Sequence, residues 1–179
     1  MTGWELKAAA NIMDKQEIFD FLDEKNIWHE ITEHEAVFSM DDAINMELPY
    51  PHCDAKNLFV RDDKKKNYYM ITVCGPKRVD LKEFRQHHGT RRLSFASAED
   101  LWEMIHIRPG SVSPLGLLNN QQCNVKLYLD KDFFREPGII GIHPNDNTAT
   151  VWLKADDLKA LIEKHGNEVE IADLPQQSC

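Results

Sequence analysis

Between Gly110 and Gly116 the sequence runs Gly-Ser-Val-Ser-Pro-Leu-Gly, small or apolar residues without a charge, stiffened by Pro114. A loop of this composition reads two ways. It is a tight connection, or it is a platform whose backbone N–H groups meet an anion or a developing oxyanion. Two other stretches hold groups that suit the second reading. In "DAKNLFVRD", Lys56 and Asn57 open an apolar strand, where the lysine is either solvated or a cation for a phosphate or carboxylate at the sheet end. In "GIHPNDNTATV", His143 ends a strand ahead of a Pro-Asn-Asp-Asn turn, as a structural ring or a reacting one. Together these stretches offer a cation, a neutral hydrogen-bonding ring and an amide-rich loop, without an evident nucleophile.

Other chemistries leave no trace in the pattern. GxSxG, P-loop, GxGxxG and HExxH motifs do not occur. Cys53, Cys74, Cys123 and Cys179 are widely spaced with no CxxC pair, which argues against a zinc cage and a disulfide framework. Cys74 lies in an apolar strand-like run and is expected in the core. His87 and His88 are adjacent and point differently on a helix, and His52-Cys53-Asp54 has no further ligands at useful spacing. No metal and no cofactor are expected, and metal-dependent hydrolysis is the weakest reading.

The elements that must position these residues follow from periodicity and capping. Asp14 is placed to cap a helix through about Asn26, and "IWHEITEHE" reads as a strand. Ser39 with Asp42 resembles a capping box opening a short helix over residues 39–48. "AKNLFVRDD" and "KNYYMITVCG" form a hairpin with Lys64, Lys65 and Lys66 at its tip. "DLKEFRQHHG" is a helix with a glycine stop, "RRLSFA" a strand, and Ser97 with Asp100 caps a further helix. Beyond the loop, "NVKLYLD", "GIIGIH" and "TATVWLK" are strands, "ADDLKALIEKHG" a helix and "EVEIADL" a last strand. The expected fold is α/β (α+β): a single domain with a mixed, partly antiparallel sheet surrounded by helices. Its expected limits are an N-terminal extension over residues 1–13, the domain over 14–174 and a tail over 175–179.

A chain of 179 residues can bury a core without staples. It has no apolar run of membrane-spanning length, and its start lacks the order of a signal peptide, so a cytoplasmic location and no membrane partner are expected. Net charge is −9, yet residues 61–92 carry a net +6 and the remainder −15. The basic stretch is either a solvated face or a local phosphate-tracking patch, its candidates being Lys64, Lys65, Lys66, Lys77, Arg78, Arg85, Arg91 and Arg92.

"KNLFV", "GSVSPLG" and "IHPNDNTATVWL", in this order and spacing, resemble the YbaK and prolyl-tRNA synthetase editing-domain family. Within it they are most similar to the free-standing trans-editing Ala-tRNA(Pro) deacylases, the ProX, PrdX or ProXp-ala proteins. The match runs from about Lys15 to Leu174, and "EHEAVFSMDDA" is similar to a pocket-wall segment. The resemblance implies a deacylase that hydrolyses the ester of mischarged tRNA(Pro). It makes Lys56, Asn57, Gly110 and His143 the catalytic set, and Phe38, Ser39, Ser111, Val112, Ser113 and Pro114 the substrate-binding set. Leu115 is placed in the core instead. The basic residues would then meet the acceptor stem, and a prolyl-tRNA synthetase or elongation factor would be a further partner; DNA is not expected to be one. Two alternatives stand beside this: a deacylase for a cysteinyl or seryl ester, and a non-catalytic module that recruits tRNA or a synthetase.

Overall fold

The computed structural model describes residues 12–36 and 47–174. In chain order the elements are α1 (Lys15–Glu24), β1 (His29–Glu33), β2 (Ala55–Asp62), β3 (Tyr68–Cys74), α2 (Leu81–His88), β4 (Leu93–Phe95) and α3 (Ala98–Ile105). A 3₁₀ helix (Pro114–Asn119) follows, then β5 (Val125–Asp130), a second 3₁₀ turn (Lys131–Phe134), β6 (Ile139–Ile142), β7 (Ala149–Lys154), α4 (Ala155–His165) and β8 (Val169–Ala172). Most of the helix starts are written in the sequence. Asp14 accepts from the Glu17 N–H, Asp80 from Lys82 and Glu83, and Ser97 with Asp100 closes a reciprocal capping box. The helix expected over residues 39–48 falls almost wholly outside the described residues. Among the described residues no helix is long and apolar enough to cross a membrane.

The single sheet expected from the sequence is in fact two. One has three strands in the order β1-β7-β6, all antiparallel; the other has five, β4-β2-β3-β5-β8, in which β3, β5 and β8 run parallel. The physical reason lies in β2, whose alternating faces serve two separate cores. Phe59 joins the larger cluster with Met70, Leu127 and Val151, while Leu58 and Val60 join a smaller one with Ile71, Phe84 and Tyr128. The three-stranded sheet closes over the larger cluster. There the fully buried Trp152 lies against Gly141, where an added Cβ would come within 2.4–2.8 Å of the indole.

The charged residues are sorted by this packing. At the hairpin tip the buried Asp62 accepts from the Lys64 and Lys66 N–H groups and from Asn67 Nδ2, and leaves Lys64, Lys65 and Lys66 exposed. Lys77 is different. Its ammonium bridges Asp130 at 2.8 Å and Asp132 at 2.6 Å and also donates to the Leu174 carbonyl. Burial opposes its charge, yet the hydrogen bonds to Asp130 and Asp132 outweigh that and leave its pKa raised. Its expected place among the phosphate-binding residues is therefore replaced by a structural one. Lys77→Ala would strand the fully buried Asp130 and is expected to cost about 3–5 kcal/mol in urea unfolding; an unchanged midpoint would contradict the bridge.

Candidate active site

Both sheets meet at the outer edge of β2, and neither completes it. At the start of the strand a parallel bridge pairs Asp54 with Gly141, and the Gly141 N–H donates to the Cys53 carbonyl. That bridge is isolated, and β6 ends at Ile142, one residue before His143. Further along, the Ala96 N–H donates to the Phe59 carbonyl, and β4 pairs with β2 only from Val60 onward. Between these two attachments no strand among the described residues lies beside the edge at Asn57. A strand edge exposes backbone groups that need a partner, and here the loop after α3 fills the gap.

Asn57 fastens that loop. Its Oδ1 accepts from Thr72 Oγ1 at 2.7 Å, which fixes the amide so that Nδ2 donates to the Val112 carbonyl at 3.1 Å. The turn before it relies on Gly110, whose φ of +92° is a conformation L side chains avoid. Beyond it, Ser113 caps the 3₁₀ helix by accepting from the Leu115 N–H. Gly116 serves a different purpose from Gly110, since a Cβ there would sit 2.2 Å from Ile107 Cδ1. Asn119 and Asn120 anchor the far end through the Ile105 and Met104 carbonyls. Among the described residues, the N–H groups of Gly110, Val112 and Ser113 have no acceptor.

Beside the loop is a niche of about 190 Å³, lined by β2 at residues 57–59, by residues 95–98, by Leu101 and by Pro109, Gly110 and Val112. Ser111 and Val112 are half-buried; the side chains of Ser113 and Pro114 are buried, so these two contribute framework and backbone. Leu115 is fully buried, in the core as expected. Lys56 is half-buried and follows the alternation of β2 onto the face of Leu58 and Val60, opposite to Asn57. Phe38 and Ser39 lie outside the described residues.

His143 sits at the other end of the gap. Its Nδ1 lies 3.0 Å from the Ala149 carbonyl, which can only accept, so Nδ1 carries the proton and Nε2 keeps its lone pair. Burial lowers the imidazole pKa, the Ala149 hydrogen bond opposes this, and the nearby His34 lowers it further. The two rings stand edge to face with centroids 6.2 Å apart. His34 is likewise oriented, donating from Nδ1 to its neighbour's carbonyl and accepting at Nε2 from Thr150 Oγ1. The turn after His143 is tied down by Asp146, which accepts from the Thr148 N–H and hydroxyl, and by Asn145, which donates to the Met13 carbonyl. Met13, the last residue of the expected extension, also donates to Asn119 and is thus part of the fold.

Sequence reasoning singled out Asn57, the loop and His143, and did not single out His34, Thr72, Asn119 and Asn120. Thr72 had no signal of its own, because only the β2–β3 register sets it opposite Asn57. The basic candidates separate into groups. Arg91 is engaged in a bidentate pair with Asp63, while Arg78, Arg85 and Arg92 are exposed. No set of three or more His, Cys, Asp or Glu among the described residues is grouped to hold a metal ion.

Residues 34–161 match the family model described as the aminoacyl-tRNA editing domain. The chain belongs to this family. It is 32% identical over 160 residues to the prolyl-tRNA editing protein ProX of Acetoanaerobium sticklandii, covering 89% of this chain and 97% of that protein. It is also 29% identical over 143 residues to the prolyl-tRNA synthetase associated domain-containing protein 1 of Mus musculus, covering 78% of this chain and 83% of that one. A crystal structure provisionally described as a trans-editing enzyme for prolyl-tRNA synthetase superposes with a TM-score of 0.61 at 24% identity, over 83% of this chain and 87% of the other. At that identity the superposition bears on the fold, which the two share.

The geometry assigns Asn57 the task of holding the loop. Asn57→Ala is expected to leave the protein folded, at a cost of about 1–3 kcal/mol, and to speed amide exchange at residues 111–113. Asn57→Asp should speed it further, since a carboxylate oxygen would then face the Val112 carbonyl. Unchanged exchange in both variants would contradict this.

Proposed function

We propose that this protein is a trans-editing deacylase that hydrolyses the aminoacyl ester of mischarged tRNA(Pro), with alanine the preferred group. The family match covers residues 34–161, which include the niche at the edge of β2, and that match carries the reading. The ester carbonyl would lie against the loop, where the free N–H groups of Gly110, Val112 and Ser113 meet the charge that develops on its oxygen. A water held in the niche would attack. Once the ribose hydroxyl leaves with the ester's electron pair and takes up a proton, free alanine and intact tRNA result. His143, neutral through its lowered pKa and with Nε2 unprotonated, orients water or substrate. Lys56 would hold a phosphate or carboxylate of the substrate from the start of β2. The ProX relative, matched over 97% of its length, is named a prolyl-tRNA editing protein, which supports this reading.

The niche also suggests why such a reaction is needed. A synthetase pocket shaped for proline rejects a smaller side chain by only about 1–3 kcal/mol per missing methylene. A second, tighter site that admits alanine and excludes proline supplies the missing discrimination, with Val112 as one wall and Phe38 as a further candidate. The exposed Lys64, Lys65, Lys66, Arg78, Arg85 and Arg92 would meet acceptor-stem phosphates, with the acidic remainder of the chain turned away. The domain is taken to span residues 14–174, with Met13 joined to it, and to act in the cytoplasm, on tRNA delivered directly or through a synthetase or elongation factor.

The test is turnover. Purified protein should release alanine from Ala-tRNA(Pro) over many cycles and leave Pro-tRNA(Pro) intact; loss of neither ester above the spontaneous rate would overturn the reading. Faster loss from Cys-tRNA(Pro) or Ser-tRNA(Pro) would move the preference. If neutral His143 is required, kcat/KM should stay flat through neutrality and fall only as pH drops below the ordinary histidine range, because the buried ring gains its proton later than a free one. Combining Arg85→Glu with Arg92→Glu should weaken tRNA binding and flatten its salt dependence.

A further inference from the structure

The niche has one wall that hydrolysis of a small ester leaves unused. Phe95, the last residue of β4, is 63% exposed, the most exposed large hydrophobic side chain among the described residues. An aromatic ring in water at the end of an edge strand gains nothing from packing there. Its surroundings give it a partner. By the β2–β4 register Phe95 is opposite Val60 and therefore on the face of Leu58 and Lys56. Leu93, two residues back and so on the same face about 7 Å away, is a wall of a second and larger cavity of about 920 Å³ between α2 and β4.

That cavity is basic. Lys82, Arg85 and Arg92 line it, and among the described residues none of the three has a carboxylate within 4.0 Å. Its one acid, Asp80, is occupied in capping α2. Along the edge of the sheet there is thus a groove of free cations, then an exposed ring, then the niche closed by the Val112 loop. A positive groove leading to an aromatic face is how proteins hold single-stranded nucleic acid, with phosphates in the groove and a base on the ring.

We propose that Phe95 is a stacking platform for the base at the 3′ end of the acylated RNA, with the preceding phosphates carried by Lys82, Arg85 and Arg92. The proposal rests on the editing reading and adds to it the group that holds the terminal nucleotide while the ester enters the niche. Phe95 touches the substrate base and not the reacting atoms, so its removal acts on binding.

The test compares Phe95→Ala, Phe95→Leu and Phe95→Trp in steady-state deacylation of Ala-tRNA(Pro), with thermal melts to establish that each variant folds. Phe95→Ala should raise KM roughly 10- to 100-fold at little change in kcat. Phe95→Trp should restore it, and Phe95→Leu, which keeps apolar bulk without a π face, should not. An unchanged KM in Phe95→Ala, or full rescue by leucine, would overturn the platform. Binding of a short RNA ending in adenosine, followed by fluorescence titration, reads the same contact without catalysis. Wild-type protein that binds this RNA through Phe95 but turns over no ester would sink the editing reading and keep the platform. Wild-type binding that Phe95→Ala leaves intact would sink the platform alone.

Discussion

The side-chain amide of Asn57, fixed by Thr72 and donating to the Val112 carbonyl, is the contact on which the site depends. Without it the loop after α3 has no side-chain hydrogen bond to the β2 edge among the described residues, and the free N–H groups of Gly110, Val112 and Ser113 lose their fixed direction. Oxyanion stabilisation works because donors are already aimed before charge appears. Two buried amides continue the same logic at the far end of the 3₁₀ helix, where Asn119 and Asn120 bind helix carbonyls of α3. The loop is held at both ends and leaves its middle free.

The second constraint is the seam itself. β2 carries β6 at one end of its outer edge and β4 at the other, and the interval between them is the length of the niche. Each neighbour brings one functional side chain to its terminus: β6 delivers His143 and β4 delivers Phe95. The His143 ring, the amide loop and the exposed aromatic thus follow one another along the edge of β2, an order that suits the proposed substrate, a chain ending in an ester. The basic hairpin and the groove beside α2 lie on the side from which that chain would arrive.

Much of this was legible in the sequence. Caps such as Asp14, Asp80 and Ser97 announced themselves through local hydrogen-bonding chemistry, and the strands through β-branched runs. Gly110 was legible because a positive φ needs glycine. Long-range pairing was not. The division into two sheets, the choice of which β2 face meets the loop, and the partnership of Asn57 with Thr72 all depend on register, which composition does not encode. Lys77 misled for a related reason: it stands in a basic run, but Asp130 and Asp132, which claim it, lie more than fifty residues away in the sequence.

The most direct test of the central claim is to ask which amides meet the substrate. Alanyl-adenosine with an amide in place of the labile ester would be titrated into ¹⁵N-labelled protein and followed by NMR. The account predicts that the Val112 and Ser113 N–H resonances shift downfield on saturation and that Asn57→Ala abolishes the shift. Saturable binding that leaves both resonances unmoved would show that the loop is a connection and that the ester is held elsewhere.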